Sequence, residues 1–220
     1  MFARLGLCAC LASGAVAAHA GPYAEIRGGL SQMGDLSGTA DRGGGVLEAE
    51  LTYDAKKTIG AEGGMRAIAG TPFALGLALD GFRGRLGEAT LSRTGAAAAA
   101  ESPAGGQGTQ VALDADGVRD LGYNFDDRVT VLSGNAYYEL GDDEGLVAYL
   151  GLGYGIASIE SDLRSGFVIQ LGARYPIDPV GYVGLRVSRF QSDGHNDAAS
   201  GLKFEDFAST AVTLAFGLEF

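Results

Sequence analysis

Two stretches of this chain hold residues whose types and spacing could do chemistry. In QSDGHNDAASG, His195 stands among Ser192, Asp193, Asp197 and Ser200. A hydroxyl, an imidazole and a carboxylate are the parts of a nucleophilic hydrolase. That chemistry needs the base within hydrogen-bond reach of the nucleophile and an acid orienting the base. A loop rich in Gly, Asp and Asn supplies no such rigidity, so His195 reads as a solvated loop residue, with lipid hydrolysis kept as an alternative. In LDADGVRD, Asp114, Asp116 and Asp120 with Gly117 match inner positions of a calcium loop. Ala112 and Tyr123 stand where its first ligand and its bidentate acid belong, which leaves weak cation binding as the most this set offers. Gly151, Gly153 and Gly155 alternate along a strand with no helix after them, so they form no nucleotide loop. No catalytic residue, metal site or cofactor is expected.

A third set is structural in character and runs the length of the chain. Glu25, Arg27, Glu62, Arg66, Asp80, Glu139, Arg174, Arg186 and Glu219 all fall on one parity of segments that alternate with period two. In YAEIRGGL, Glu25 and Arg27 oppose Ala24, Ile26 and Leu30. In TIGAEGGMRA, Glu62 and Arg66 oppose Ile59, Ala61 and Met65. FALGLALDG, TVLSGNAYYEL, LVAYLGLGYGI, FVIQLGARY, YVGLRVSRF and TLAFGLEF repeat the arrangement, so eight strands are expected. Each has one aliphatic or aromatic face and one face of glycine, small residues and single charges.

Short connections alternate with long ones. Residues 69–72, 141–144 and 177–179 are tight turns, while 31–57, 86–127, 157–164 and 192–207 are longer and mostly polar. Together with segments near the ~9 to 11 tilted residues that cross hydrocarbon, this is the layout of an all-β, eight-stranded antiparallel up-and-down transmembrane barrel. Its short turns face the periplasm and its long loops the outside. Val46–Tyr53 also alternates, and TQVAL at residues 109–113 is short and apolar. An even strand count makes Val46–Tyr53 part of a hairpin extending above the membrane, or else TQVAL is a tenth strand.

Residues 1–20 read as a cleaved signal peptide. Arg4 precedes an apolar run from Leu5 to Ala18, Ala18 and Ala20 occupy the small-residue positions before the cut, and Gly21–Pro22 breaks any helix. Cys8 and Cys10 both lie in this segment; the apolar stretch ahead of either is too short for a lipoprotein signal, so the barrel over 21–220 has no cysteine. With Arg4 removed, 15 basic residues face 27 acidic ones, a net charge of −12 that repels nucleic acid.

The face carrying the charges should point into the lumen. A soluble sandwich would show Lys, Thr and Glu on its solvated face rather than so much glycine, which weakens exposed strands. A narrow eight-stranded lumen has room for small side chains and a few large ones. Its five acids and four arginines are close to balance, as enclosed ions must be. Such a plugged lumen argues against conductance, although a small pore remains an alternative. The outward set carries one charge, Arg189, placed at the rim to meet anionic headgroups, with Tyr138, Tyr175 and Phe220 in the opposite aromatic girdle.

The ordered run VTVLSGNAYYEL, VAYLGLGYGIA, FVIQLGARYPI and YVGLRVSRF resembles the second half of the opacity/surface-antigen family of OmpA-type outer-membrane barrels. The resemblance covers residues 128–220 well and 21–85 loosely, and misses the long loop. It implies an eight-stranded, surface-exposed barrel, and the chain is further expected to be a non-enzymatic monomer of the cell outer membrane, in contact with membrane lipid and lipopolysaccharide. The last strand, with Phe216, Leu218 and Phe220, is similar to the signal that the barrel-assembly machinery reads. The family's loops vary too much to name an extracellular ligand.

Overall fold

The computed structural model describes residues 21–42, 45–67, 71–83, 85–95, 109–114, 128–141, 145–159, 162–196 and 203–220. The expected signal peptide over 1–20 lies outside them. The fold is all-β: eight strands close an antiparallel barrel. They are β1 (Pro22–Met33), β4 (Lys56–Met65), β5 (Phe73–Arg83), β8 (Arg128–Leu140), β9 (Val147–Ile159), β10 (Asp162–Pro176), β11 (Gly181–Ser192) and β14 (Phe207–Glu219). Each pairs with the next along the chain, and β1 pairs with β14 to close the wall. This removes every free edge, the standing hazard of an open sheet.

At the turn end, local chemistry sets the connections. Gly141 adopts φ +132, which a side chain would disfavour. Between β10 and β11, the Asp178 carboxylate accepts from the Val180 amide at 2.9 Å, an Asx turn. Backbone bonds from Arg66 to Gly21 (3.0 Å) and from Phe220 to Pro22 (2.9 Å) fasten the start of β1 and residue 220 into the rim.

Burial alternates along most of each barrel strand, but inside out relative to a soluble protein. Ile26, Ile59, Leu77, Leu152, Phe167 and Leu214 are more than half exposed, while Arg27, Glu62, Arg174 and Arg186 are buried. The exposed residues form a continuous apolar band around the wall.

At the other end the structure corrects the expectation of long polar loops over 31–57, 86–127 and 192–207. Within them lie β2 (Leu36–Arg42), β3 (Gly45–Asp54), β6 (Arg85–Gly95), β7 (Thr109–Asp114), β12 (His195–Asn196) and β13 (Lys203–Phe204), ordered β12-β13-β2-β3-β6-β7 in a second sheet. The reason is register. Ser31 pairs with Lys56 and, further up, Leu36 pairs with Leu51, so the β1–β4 ladder simply continues as β2–β3. The β4–β5 ladder continues as β3–β6, shifted by one bulge at Thr52/Tyr53. Val46–Tyr53 is thus a hairpin arm beyond the barrel rather than a spanning strand. TQVAL is a strand, yet it pairs with β6 in the second sheet and adds nothing to the barrel wall.

The second sheet buries its lower face against the barrel mouth. Leu51, Tyr53 and Ala49 from β3 pack with Met33, Phe82 and Phe207 from the rims of β1, β5 and β14. Phe190 joins them, its ring 6.3 Å from that of Phe207. Leu51 is 1 % exposed and Phe207 0 %. An apolar plug therefore closes the end of the lumen that the extended hairpins cover.

Candidate functional site: the charged lumen and the outer sheet

Below the plug, alternation drives polar side chains from every wall toward one axis. All nine charged residues singled out from the sequence meet there, in two layers. Glu62 of β4 is the hub of the upper layer, with its side chain 0 % exposed. Its Oε2 accepts from Arg27 Nη1 at 3.1 Å, Arg186 Nη1 at 2.7 Å and the Tyr137 hydroxyl at 2.7 Å, while Oε1 accepts from the Tyr23 hydroxyl. Arg27 grips Asp80 with two donors, Nε at 2.8 Å and Nη2 at 2.6 Å. Arg186 Nη2 lies 2.9 Å from Glu25 Oε1, and its Nε donates to the Tyr149 hydroxyl at 2.9 Å.

The second layer lies toward the turns. Arg66 contacts Glu219 at 2.7 Å and Glu139 at 3.7 Å. Arg174 contacts Glu139 at 3.2 Å and also pairs with Glu219. Tyr182 ties the layers together: its hydroxyl accepts from Arg66 at 2.8 Å and donates to Glu25 at 2.9 Å. The Arg66 guanidinium is also sandwiched between the rings of Tyr23 and Tyr182, at 4.4 and 4.5 Å from their centroids.

Each of the five carboxylates thus touches a guanidinium, as the desolvation penalty of several kcal/mol per buried ion requires. The lumen glycines have a matching role. A Cβ on Gly217 would collide with the Tyr182 ring, and one on Gly172 with the Tyr149 ring. Those tyrosines lie flat across the wall because glycine stands beside them.

Sequence reasoning placed the charges but gave no role to Tyr23, Tyr137, Tyr149 and Tyr182, which supply the hydroxyls between them. It also missed the plug residues Phe82, Phe190 and Phe207. Extending the inward parity two residues past each polar boundary would have found Phe82 and Phe190; Phe207 fell in a stretch read as loop. Between the ion layers and the plug, a cavity of about 30 Å³ is lined by Asp80 and the hydroxyls of Thr58, Ser133, Ser188, Ser209 and Thr213. That volume holds one or two waters and no continuous file of them.

The other candidate residues lie elsewhere in the fold or outside the described residues. His195 sits on β12, opposite Phe204 of β13, a paired strand rather than a free loop. Ser192 points its hydroxyl at the Asp193 carbonyl, 3.4 Å away. Asp114 ends β7 opposite Glu88, while Asp116, Asp120, Asp197 and Ser200 lie outside the described residues. Among the described residues no three His, Cys, Asp or Glu side chains gather as a metal site. Arg189 is exposed on the outer wall, opposite Thr210 and Ile169. Phe216 and Leu218 face outward on β14, and Phe220 is 73 % exposed at the turn end. Tyr138 packs edge-on against Phe73 at 5.3 Å near that end, and Tyr154 packs the same way against Phe167 higher up.

The upper face of the second sheet is polar. Ser37, Thr39, Glu48, Glu50 and Thr52 are exposed on adjacent strands, and Glu48 accepts from Ser92 at 3.3 Å.

No protein-family model matches the chain, and no curated protein matches it in sequence. Among solved structures it is similar to Neisserial surface protein A (NspA), with 10 % identity, a TM-score of 0.49 and coverage of 90 % of this chain and 97 % of that one. It is similar to the outer membrane protein OprG from Pseudomonas aeruginosa, with 13 % identity, a TM-score of 0.48 and coverage of 93 % and 99 %. The outer membrane protease OmpT from Escherichia coli shares 8 % identity over 91 % and 97 % of the two chains, with a TM-score of 0.41. Nothing about an activity or a ligand carries over from these proteins.

Proposed function

We propose that this chain is a non-catalytic outer-membrane barrel whose lumen is sealed and whose acidic outer sheet is its working surface. The observation that supports it most is the inversion of polarity: a closed wall exposes a band of aliphatic side chains while salt-bridged arginines fill its axis. Closed barrels satisfy every backbone group within the wall, so hydrocarbon can solvate that band. The plug and the packed ion layers speak for a structural or surface-interaction role rather than conduction. The resemblance of residues 128–220 to the opacity/surface-antigen family supports the same reading, with a monomeric state, surrounding lipid and lipopolysaccharide, and the last strand with Phe216, Leu218 and Phe220 read by the barrel-assembly machinery.

The test is topological. A chain cut after Ala20 carries no cysteine, so Glu50→Cys introduces a single thiol on the second sheet. A membrane-impermeant maleimide should label it on intact cells. Labelling that requires lysis would overturn the outward placement of the sheet.

A further inference from the structure

The outer wall carries a row of cations whose arrangement calls for an anion. On β5 and β8, Arg83 and Arg128 are directly opposite one another. One step beyond the Thr58↔Phe82 pair, the same register sets Lys57 of β4 beside Arg83. Three neighbouring strands thus carry cationic residues at one level of the ladder, about 4.8 Å apart from strand to strand. Like charges directly opposite across a ladder destabilise it. Among the described residues, neither Lys57 nor Arg83 has an ion pair or a hydrogen bond to relieve that repulsion. The nearby acid Asp54 stands opposite another cation, Arg85, on the second sheet, and Asp80 points inward to Arg27.

Position identifies the anion. Along β4 the outward series runs Lys57, Ile59, Ala61, and along β5, Arg83, Gly81, Leu79, Leu77, while Arg128 holds the register position opposite Arg83 on β8. Each cation caps an apolar ladder at the level where the barrel gives way to the second sheet. A ligand that meets these residues has acyl chains along the ladders and a negative headgroup at the row. We infer that Lys57 and Arg83, with Arg128 at the register position beside them, form a binding row for the phosphate of an anionic outer-leaflet lipid. Arginine suits the task because its planar fork grips phosphate with two donors. The inference rests on the membrane reading above, and it locates the lipid contact on the β4–β5–β8 flank rather than at Arg189.

The test uses the full folded chain in neutral detergent, with folding confirmed by the gel shift of the unheated protein. The probes are lipid A, dephosphorylated lipid A and inorganic phosphate, read by native mass spectrometry and by unfolding temperature. Lipid A should be retained about tenfold more strongly than its dephosphorylated form. Arg83→Gln with Arg128→Gln should abolish that preference, while Lys203→Gln on the second sheet should keep it. Without lipid, the double substitution should raise the unfolding temperature, because it removes repulsion; with lipid A, only the wild type should gain. Equal retention of both lipids, a lower unfolding temperature of the lipid-free double variant, or inorganic phosphate binding as tightly as lipid A would each overturn the inference. A wild type that shows no gel shift would instead overturn the membrane reading.

Discussion

Arg186 and Glu62 lie 2.7 Å apart across the barrel axis although 124 residues separate them in the chain. The pair shows how the lumen is held. Arg186 reaches in from β11 to the hub carboxylate of β4, and the same guanidinium serves Glu25 and Tyr149. Among the described residues, removing it leaves Arg27, already paired with Asp80, as the one remaining guanidinium against the buried carboxylates of Glu25 and Glu62.

Arg186→Leu should therefore destabilise the barrel by about 3–5 kcal/mol, the cost of breaking a buried pair from one side. Arg189→Leu, three residues on and on the outer wall, should change stability by no more than about 0.5 kcal/mol. Urea unfolding in detergent compares them. Equal effects would contradict the assignment of faces.

Two glycines should respond in opposite ways. Gly217→Ala forces a methyl into the Tyr182 ring and should cost about 1–3 kcal/mol, as overpacking does. A Cβ on outward-facing Gly134 meets nothing within 4 Å, so Gly134→Ala should be neutral or gain up to about 1 kcal/mol. The same unfolding series reads both.

Conductance separates a sealed barrel from a pore. Pure protein in a planar bilayer should give no steady, stepwise openings, since the plug and both ion layers stand in series. Regular openings from the wild type would refute the sealed lumen.

The plug should hold the second sheet down without being needed for the barrel. Leu51→Asp places a charge in the apolar cluster and should expose the β2–β3 hairpin to protease. The barrel core should still run at a different apparent size unheated than boiled on SDS gels. Loss of the gel shift in this variant would mean that barrel and sheet fold as one unit.

Much of the wall was legible because a strand's side chains alternate with period two and nothing else is needed to sort them. Glu62 and Ile59, or Arg186 and Val187, announce opposite faces from their spacing alone, and glycine between the charges announces a cramped interior. The second sheet was harder to read. Ser37 and Thr39 look like loop composition, and Glu48 and Glu50 lie in an alternating segment with no neighbour to assign it, yet all four are the solvated face of hairpins that continue the barrel ladders.

Sequence alone determined which residues turn inward and that their charges nearly balance, since parity and composition are local properties. Tertiary structure decided the partners: that Glu62 gathers Arg27, Arg186, Tyr23 and Tyr137, that Phe190 meets Phe207 over the mouth, and that Arg83 faces Arg128 on the rim. Those pairings depend on how far each strand is sheared against its neighbour when the wall closes. That shear belongs to the whole cylinder and to no single segment.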